Sequence, residues 1–404
     1  MKASDLSPGM RAALVPLPEY PGAKAIVPPP PRLRVPLDGV AGRVLMAHEA
    51  LASLQATLAS LPNPDLITRT LDRREAVRSS QMEGTSADLD EVFEYEATGS
   101  DQGLPADVRV TANYVVAFAH GLRAVRQAGS NSALTLDLVR RLHELLMEGD
   151  KDYQKRDVPG RFRLQQNWIG GRSIYEAKLV PPPPAMLDGP LRDQERGLQY
   201  APADDDQYSV SIIVRMAVLH AHFEMVHPFL DGNGRVGRLL ITFLLCERDL
   251  LHKPVLYLSH YFKRHRQEYY DRLQAVRDAG DWEGWLGFFL RGVTDVSTQA
   301  TETARRILAL RERRRDQITQ SFGRAAGNGL KVLEQLFRTP IISVKKVQTI
   351  TKTEFPAANQ LVRRLVQLGI LKEITGQARN RQFRFEEYVQ LFAEDTEMPR
   401  GTGK

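Results

Sequence analysis

The sequence predicts a mainly α-helical protein with a large helical domain and a small C-terminal domain. Residues 37–147 and 212–300 carry apolar side chains at helical spacing over most of their length. Between these stretches, residues 151–185 have the composition of a β-hairpin around paired glycines. The last part of the chain combines short helices with two short strands. A chain of 404 residues is long enough for two domains.

Composition indicates a globular protein and excludes several kinds of site. Hydrophobic residues make up 42% of the chain and charged residues 26%. The single cysteine, Cys246, excludes an internal disulfide and a cysteine-based zinc cluster. No apolar run approaches the roughly 20 residues that span a membrane. The first residues lack the apolar core of a signal peptide, so we expect a cytoplasmic protein.

The net charge of +6 is unevenly distributed. Residues 301–404 contain 20 lysines and arginines and 11 acidic residues, whereas the other 300 residues contain 35 and 38. The C-terminal part is therefore basic, which favours a nucleic-acid partner for this part and not for the body.

The N-terminal region is predicted to contain an extended segment followed by five helices. Residues 1–36 are rich in proline, which favours an extended segment on the surface. Pro62 and Pro64 separate the first two helices, Thr135 is the expected N-cap of the fifth, and Gly149 its end. The expected helices are 37–61, 65–82, 88–96, 108–128 and 136–147.

The middle of the chain contains the predicted hairpin and three further helices. Residues 161–169 and 173–180 flank Gly170-Gly171 and are expected to pair. A helix near 212–226 ends before Pro228, which we expect to hold His227 in an extended backbone. The next helix begins near Arg235. An aromatic-faced helix over 257–276 and a closing helix from Trp282 follow.

The C-terminal part is predicted to be a separate domain. Residues 301–328 form a charged helical linker that dissolves at 323–329, residues 329–390 form the domain, and 391–404 a tail. Helices at 330–336, 344–350 and 356–368, then strands at 370–374 and 382–385, resemble a winged helix. Winged helices bind DNA or proteins, and both readings stay open. Phosphate contacts are expected from Arg363, Arg364, Arg379 and Arg381.

The segment 227–238 concentrates polar and flexible residues between two apolar helices. It contains His-Pro-Phe-Leu-Asp-Gly-Asn-Gly-Arg-Val-Gly-Arg. Gly232 and Gly234 permit a tight turn at a helix N-terminus. Free N–H groups and the helix dipole make such a turn a phosphate cradle. The expected nucleotide-binding residues are Gly232, Asn233, Gly234, Arg235, Val236, Gly237 and Arg238.

The side chains of this segment suit a nucleotide. Arg235 and Arg238 are three apart, so they share a helix face and are expected to grip successive phosphates. Asp231 is expected to hold Mg²⁺ between phosphates, because magnesium prefers one or two carboxylates plus phosphate oxygens. His227, with an ordinary pKa of about 6.5, is suited to taking a hydroxyl proton.

The segment resembles the signature of the Fic family, His-Pro-Phe-x-Asp/Glu-Gly-Asn-Gly-Arg-x-x-Arg, at every fixed position from His227 to Arg238. The resemblance implies a Fic-type helical bundle with a β-hairpin flap, a catalytic domain over 37–300, and transfer of AMP from ATP to a Tyr, Thr or Ser hydroxyl of a protein. It implies that the flap holds the target segment by strand addition, through Trp168, Ile169, Gly170 and Gly171. An aromatic near the adenine is implied, with Tyr270 first and Tyr269 second.

Residues 79–84 are similar to the inhibitory motif of the same family, Ser/Thr-x-x-x-Glu-Gly/Asn. Ser79 and Glu83 are four apart, at the end of the helix 65–84, and Gly84 follows as its stop. A capping box from Ser80 to Glu83 is the structural alternative. The resemblance implies that Glu83 pairs with Arg238, misplaces the ATP phosphates and keeps basal activity low.

Three other outcomes stay open at this point. The same site in the family can remove AMP, with Glu83 aligning water, and sister families transfer other phosphate-containing groups. The chain is alternatively a regulator in which the C-terminal domain binds DNA or a protein and the nucleotide site acts as sensor. The identity of the target protein is left open, and the chain itself can be the target. Whether the chain forms a homodimer is also left open.

Overall fold

A computed structural model describes residues 4, 6–33, 37–59, 65–99, 103–105, 107–128, 132–201, 211–376 and 381–393. The described chain is mainly helical, as predicted, and divides into two compact units. The first unit contains Met1–Ala52, Glu75–Ser86 and Arg109–Ser297, and the second contains Ser53–Arg74, Ala87–Val108 and Thr298–Lys404. None of the helices in the described ranges is both long and apolar enough to cross a lipid bilayer.

The elements up to residue 199 begin with a short helix and a two-stranded sheet. They are α1 Pro8–Ala12, β1 Leu14–Pro16, β2 Lys24–Ile26, α2 Ala41–Ala59, α3 Asp65–Met82, α4 Leu89–Thr98, α5 Asp107–Gln127, α6 Leu136–Leu146, α7 Lys151–Gln154 and α8 Asp188–Gln199.

The elements after residue 211 contain the signature segment and the C-terminal region. They are α9 Ile212–Val226, α10 Asn233–Glu247, α11 Ser259–Arg264, α12 Arg266–Ala279, α13 Trp282–Phe322, α14 Ala326–Arg338, β3 Ile341–Ser343, α15 Val344–Thr351, α16 Phe355–Gln367, β4 Lys372–Glu373, β5 Gln382–Arg384 and α17 Glu386–Ala393.

Helices α9 and α10 lie at the centre of the first unit. Helix α9 is apolar on nearly all sides, and a helix of that kind is stable only when it is surrounded by other elements. It packs against α10 and α8, and its Ala217 carbonyl accepts a hydrogen bond from the Trp285 indole at 2.9 Å. The loop between α9 and α10 is therefore held at both ends by buried helices.

The five predicted N-terminal helices are confirmed as α2 to α6, with ends within a few residues. Thr135 caps α6, because its side chain accepts the Leu138 N–H at 3.2 Å. Asp88 caps α4 in a capping box with Glu91. The helix predicted over 257–276 is two helices, α11 and α12, which meet at His265 with φ −112° and ψ 38°.

The described part of the N-terminal segment over 1–36 contains extended strands, but it also forms helix α1 and is packed, not laid on the surface as predicted. Strands β1 and β2 pair in antiparallel register, Leu14 opposite Ile26. Ala25 and Ile26 are fully buried, and the Ile26 N–H bonds to the Val180 carbonyl at 2.9 Å. Pro16 ends β1, and Pro18 and Pro21 lie in the connection to β2, whose apolar residues give the strand a buried face.

The predicted hairpin over 151–185 is reduced to a single antiparallel bridge between Ile169 and Leu179 within the described residues. The chain does not turn tightly at Gly170-Gly171. Both glycines have positive φ, 70° and 81°, and the loop continues to Leu179. Two successive left-handed residues fit a two-residue turn, but here the Ser173–Glu176 backbone bond adds a second turn and widens the loop.

The predicted boundary at residue 300 lies close to the division between Ser297 and Thr298, but the linker predicted to dissolve at 323–329 does not form. Helix α13 runs without a break from Trp282 to Phe322, and a short 3-10 turn over Gly323–Ala325 leads directly into α14. The glycines near 323–329 therefore mark a change of helix direction. Gly329 lies inside α14, where a Cβ would come within 2.8 Å of Ile318.

The second unit contains the predicted C-terminal domain and two earlier segments of the chain. The helices and strands of its C-terminal part follow the predicted order. Three strands form a sheet in the order β3-β5-β4, and strand β3 was not predicted. The proposed single domain over 37–300 differs from this division. Residues 53–74 and 87–108 pack in the second unit through contacts such as Thr70 with Tyr388, at 2.8 Å between hydroxyls, and Asp90 with Arg384. Most of the connection between the two predicted strands, and most of the predicted tail over 391–404, lie outside the described residues.

Candidate functional site

His227 ends helix α9 in the left-handed conformation, with φ 46° and ψ 61°. The expected extended backbone was therefore wrong. Its N–H bonds to the Phe223 carbonyl at 3.0 Å, which closes the last turn as a left-handed C-terminal residue does. The carbonyl of His227 accepts a bond from Arg163 Nε at 3.0 Å, and the Pro228 carbonyl accepts the Arg163 N–H at 2.9 Å. The strained backbone at His227 is thus fixed by a buried guanidinium.

Gly232 begins helix α10 as its N-cap, with φ 78°. Val236 is the first residue whose N–H bonds within the helix, to the Gly232 carbonyl at 3.1 Å. The preceding amides of Asn233, Gly234 and Arg235 form the helix N-terminus, which favours anions. Val236 has a fully buried side chain and no free N–H, so it does not face this cradle, and Gly237 lies further into the helix.

The Asn233 side chain holds the loop. Its Oδ1 accepts the Phe229 N–H at 2.9 Å, and its Nδ2 donates to the Phe229 carbonyl at 2.9 Å. Both ends of the amide are thus occupied by one backbone residue. We expected this side chain to stabilise a phosphate, whereas its contacts assign it to the shape of the turn.

His143 on α6 supports the same loop and was missed in the sequence. Its Nδ1 accepts the Gly160 N–H at 2.9 Å, so the ring proton is on Nε2, which donates to the Asp231 carbonyl at 3.1 Å. The ring stacks on Phe229 with 3.8 Å between centroids and an interplanar angle of 5°. Burial lowers the pKa of His143 to about 4, which keeps the ring neutral.

Asp231 and Arg235 lie at the edge of the cradle. The Asp231 side chain is 48% exposed, and its Oδ1 accepts the Gly232 N–H at 2.6 Å. Its Oδ2 lies 3.9 Å from the Arg156 guanidinium. Arg235 is buried, and one Nη contacts the Met147 sulfur at 3.4 Å. The two predicted phosphate arginines therefore have different surroundings, although they are on one helix.

The Arg238 guanidinium is held by the end of helix α3. It donates from Nε to Ser79 Oγ at 2.8 Å, and from Nη2 to the Ser79 carbonyl at 2.9 Å and to Glu83 Oε1 at 2.7 Å. The Arg238 side chain is 3% exposed and that of Glu83 30%. Burial opposes ionisation of Glu83, but the Arg238 guanidinium holds the pKa of this carboxyl below its usual value. The predicted pairing of Glu83 with Arg238 is present, and the bonds from Arg238 to Ser79 add to it.

The Glu83 carboxylate lies directly over the N-terminus of α10. A Cβ atom placed on Gly234 would overlap Oε1 of Glu83 and come within 2.8 Å of Arg238. The carboxylate thus occupies the place where the helix N-terminus favours an anion. Glycine at position 234 leaves room for it.

One pocket of about 520 Å³ brings most of the predicted residues together. Such a volume is within the range of small-molecule sites. Helix α12 closes one side: Tyr270 is 41% exposed, whereas Tyr269 is buried and its hydroxyl lies 2.8 Å from His220 Nε2. Of the residues predicted to form a flap, Trp168, Ile169 and Gly170 line another side of the pocket, whereas Gly171 does not. The remaining lining residues at the cradle end are Glu83, Glu224, His227, Gly234 and Arg238.

Two buried carboxyls near Arg238 were also missed in the sequence. Glu75 Oε1 accepts from Tyr114 at 3.3 Å and from the Ser259 hydroxyl. Burial raises the pKa of Glu75 to about 7 and that of Glu224 to about 7. Glu224 lines the pocket, whereas Glu75 lies outside its lining and faces Tyr114 and Ser259.

Burial lowers the pKa of His227 to about 4, and the Arg163 guanidinium contributes in the same direction. The imidazole is therefore neutral near pH 7 and able to accept a proton. A neutral base, a helix N-terminus and a buried guanidinium in one pocket are the groups that a reaction at a phosphate requires.

Comparison with known proteins gives two adjacent family matches. The Fic/DOC family N-terminal model matches residues 42–123, and the Fic/DOC family model matches residues 133–245, which include the signature. The chain belongs to the Fic/DOC family. The second match ends in the last turn of α10. The matched region of this Fic protein therefore contains His227, Arg238 and the N-terminus of α10.

Two curated relatives are protein adenylyltransferases. The chain is 32% identical over 106 residues to the probable protein adenylyltransferase aq_aa38 of Aquifex aeolicus. The aligned residues make up 26% of this chain and 28% of that protein. It is also 32% identical over 145 residues to protein adenylyltransferase Fic of Aedes aegypti. The aligned residues make up 35% of this chain and 24% of that protein. The match thus spans about a quarter of each relative's length.

A solved structure shares the fold. The crystal structure of a Fic family protein from Desulfovibrio desulfuricans G20 aligns with a TM-score of 0.53 and 17% identity over 93% of this chain and 100% of that chain. The fold of this Fic protein therefore extends beyond the two matched regions.

The arginines predicted to contact DNA are partly engaged within the second unit. Arg364 donates to the Ser321 carbonyl at 2.8 Å and lies over the Phe322 ring, while Arg381 donates to Asn359 at 2.9 Å. Arg363 is exposed, and Arg379 lies outside the described residues. The contacts of Arg364 and Arg381 occupy N–H donors that a phosphate backbone would need.

Proposed function

We propose that this Fic protein is a protein adenylyltransferase that transfers AMP from ATP to a Tyr, Thr or Ser hydroxyl, and that Glu83 holds it in an inhibited state. The observation that supports this most directly is the pocket itself. It joins a neutral His227, the N-terminus of α10 and the Arg238–Glu83 ion pair. The adenylyltransferase relatives support the reaction class.

In the proposed reaction, the target hydroxyl attacks the α-phosphorus of ATP. The bond from the α-phosphorus to the bridging oxygen of the β-phosphate breaks, pyrophosphate leaves, and the hydroxyl proton passes to the His227 ring. The amides at the start of α10 stabilise phosphate charge, and Arg238 holds the outer phosphates once Glu83 has moved. Tyr270 offers an exposed ring for the adenine, and the flap backbone holds the target segment.

Asp231 fits the role of a magnesium ligand. One of its oxygens is fixed by the Gly232 amide, and the side chain is half exposed at the mouth of the cradle. Magnesium binds through one or two carboxylates plus phosphate oxygens, and when bound it would neutralise phosphate charge. The Arg156 guanidinium lies 3.9 Å from the other oxygen of this carboxylate.

The inhibited state follows from competition between two anions. The Glu83 carboxylate occupies the α10 N-terminus and one donor of Arg238, both of which a triphosphate would need. ATP then binds with its outer phosphates displaced, so the α-phosphorus is not aligned with the attacking hydroxyl. Basal transfer is expected to be slow.

The test uses ATP labelled at the α-phosphate, with Mg²⁺, alone and with cell lysate. Wild type is expected to transfer label weakly, Glu83→Ala strongly and His227→Ala not at all. Glu49→Ala removes an equally negative but exposed side chain of α2 and should behave as wild type. Label from the γ-phosphate should not be transferred. Failure of every variant to transfer α-label would reject the proposal.

Removal of AMP is the second candidate, because Glu83 lies in the same pocket as His227 and can orient water there. The two reactions depend on Glu83 in opposite ways. If removal is the main activity, wild type releases AMP from a labelled protein and Glu83→Ala does not.

A further inference from the structure

Glu224 is a pocket residue that the proposed reaction does not use. It lies three residues before His227, in the last turn of α9, and lines the same pocket. Its Oε1 is buried and accepts no hydrogen bond from the residues that the structure describes. A buried carboxyl oxygen without a donor is costly, so such an atom at a binding site indicates a ligand donor.

The neighbouring helix makes room for this carboxyl group. A Cβ at residue 237 of α10 would come within 2.8 Å of Glu224 Oε1, so the glycine at this position accommodates the side chain. The closest cation does not pair with it, because the bonds of Arg238 go to Ser79 and Glu83. Glu224 is therefore placed in the pocket and not committed to a protein partner in the described chain.

The position of Glu224 along the pocket determines which part of a bound nucleotide it would contact. The phosphate end is marked by His227, Gly234 and Arg238, and the base end by the exposed Tyr270 ring. Glu224 precedes His227 by about one helical turn, roughly 5 Å along α9. A carboxylate repels phosphate but accepts hydrogen bonds from hydroxyls, and in a nucleotide the ribose lies between phosphate and base.

We propose that Glu224 recognises the ribose by accepting a hydrogen bond from one of its hydroxyl groups, so that the site selects ribonucleotides over deoxyribonucleotides. This inference rests on the proposed nucleotide-binding function. Acidic side chains read ribose hydroxyls in the same way in dinucleotide-binding folds. Glu224 is a binding residue in this account, and the proton of the target still passes to His227.

The experiment measures the binding of ATP, 2′-deoxy-ATP and 3′-deoxy-ATP by calorimetry, in the presence of Mg²⁺. Wild type is expected to bind ATP about 10- to 100-fold more tightly than the analogue that lacks the recognised hydroxyl. Glu224→Ala should weaken ATP by about the same factor and leave that analogue unchanged. Glu224→Gln keeps one oxygen acceptor and should lose less.

The deoxy analogue also reports whether each variant is folded, because its binding should be retained. Equal binding of all three nucleotides by wild type would overturn the inference and leave the proposed function intact. An equal loss for ATP and both analogues in Glu224→Ala would also overturn it, since that result indicates a structural role. Absence of any nucleotide binding by wild type would reject the proposed function and this inference together.

Discussion

Replacing Glu83 by alanine is expected to lower the stability of the protein and to raise its transfer activity. The two effects have one cause. The Glu83 carboxylate is the counter-ion of the buried Arg238 guanidinium, and it occupies the N-terminus of α10, where the proposed function places phosphates. Its removal leaves a buried cation without its partner and opens the cradle for a triphosphate.

The magnitude follows from the surroundings of the pair. Removing one partner of a fully buried ion pair costs about 3–5 kcal/mol. Here the carboxylate is 30% exposed, and Arg238 keeps both bonds to Ser79. We therefore expect a loss of about 1–2 kcal/mol in the free energy of unfolding. In a protein unit of this size that loss corresponds to a decrease of about 2–8 °C in Tm.

The stability difference should also depend on pH. Burial opposes the charged form of Glu83, but Arg238 dominates and the pKa in the folded protein is below the ordinary value. The stability that this shift contributes is present above the unfolded pKa of about 4.3, and it is lost as the pH falls through the folded value. Wild type and Glu83→Ala should therefore approach each other in Tm below about pH 4.

The assay combines thermal denaturation by circular dichroism with transfer of α-label. Glu83→Gln keeps an oxygen for Arg238 but no charge, so it should lie between wild type and Glu83→Ala in both measurements. Glu49→Ala should match wild type. The reasoning is refuted if Glu83→Ala unfolds at the wild-type temperature or higher and transfers no more label than wild type.

Three further predictions concern residues that shape the site. The ring signals of His227 in ¹⁵N NMR, assigned by comparison with His227→Ala, should titrate near pH 4; a midpoint at 6.5 would contradict the effect of burial. Arg163→Lys, made in the Glu83→Ala protein, should lower kcat at least about 10-fold. Lysine lacks the forked guanidinium that reaches the His227 and Pro182 carbonyls. An unchanged kcat would show that Arg163 does not position His227. His143→Leu should lower the free energy of unfolding by about 1–3 kcal/mol in urea denaturation, because two buried bonds to the loop are lost; wild-type stability would show that the loop holds its shape without them.

The sequence was most informative where local rules decide the structure. Helix bounds such as 65–82 and the cap at Thr135 follow from apolar spacing and capping chemistry, and the structure has both. The relation between Ser79, Glu83 and Arg238 followed from two motifs, and the contacts are present. Motifs with fixed spacing report on side chains that must meet, even when they are far apart in sequence.

The sequence was less informative where tertiary contacts decide. The rule for residues before proline favours an extended His227, but the Arg163 contact and the helix end hold it in the left-handed region. Glycines near 323 indicated a linker, whereas α13 continues to them and α14 begins beyond them. The winged-helix assignment and DNA binding stay predictions. Glu75 and Glu224 carry no motif, and only their burial and neighbours single them out.

Under the proposed function, the charges around Arg238 explain why one side chain can act as a brake. Three carboxyls influence this guanidinium, those of Glu75, Glu83 and Glu224. Burial raises the pKa of Glu75 and Glu224 to about 7, so at neutral pH each is only partly ionised. Glu83 has a lowered pKa and is fully ionised. Displacement of Glu83 alone therefore changes the local charge by a whole unit, at the helix end where the phosphates of ATP are expected to bind.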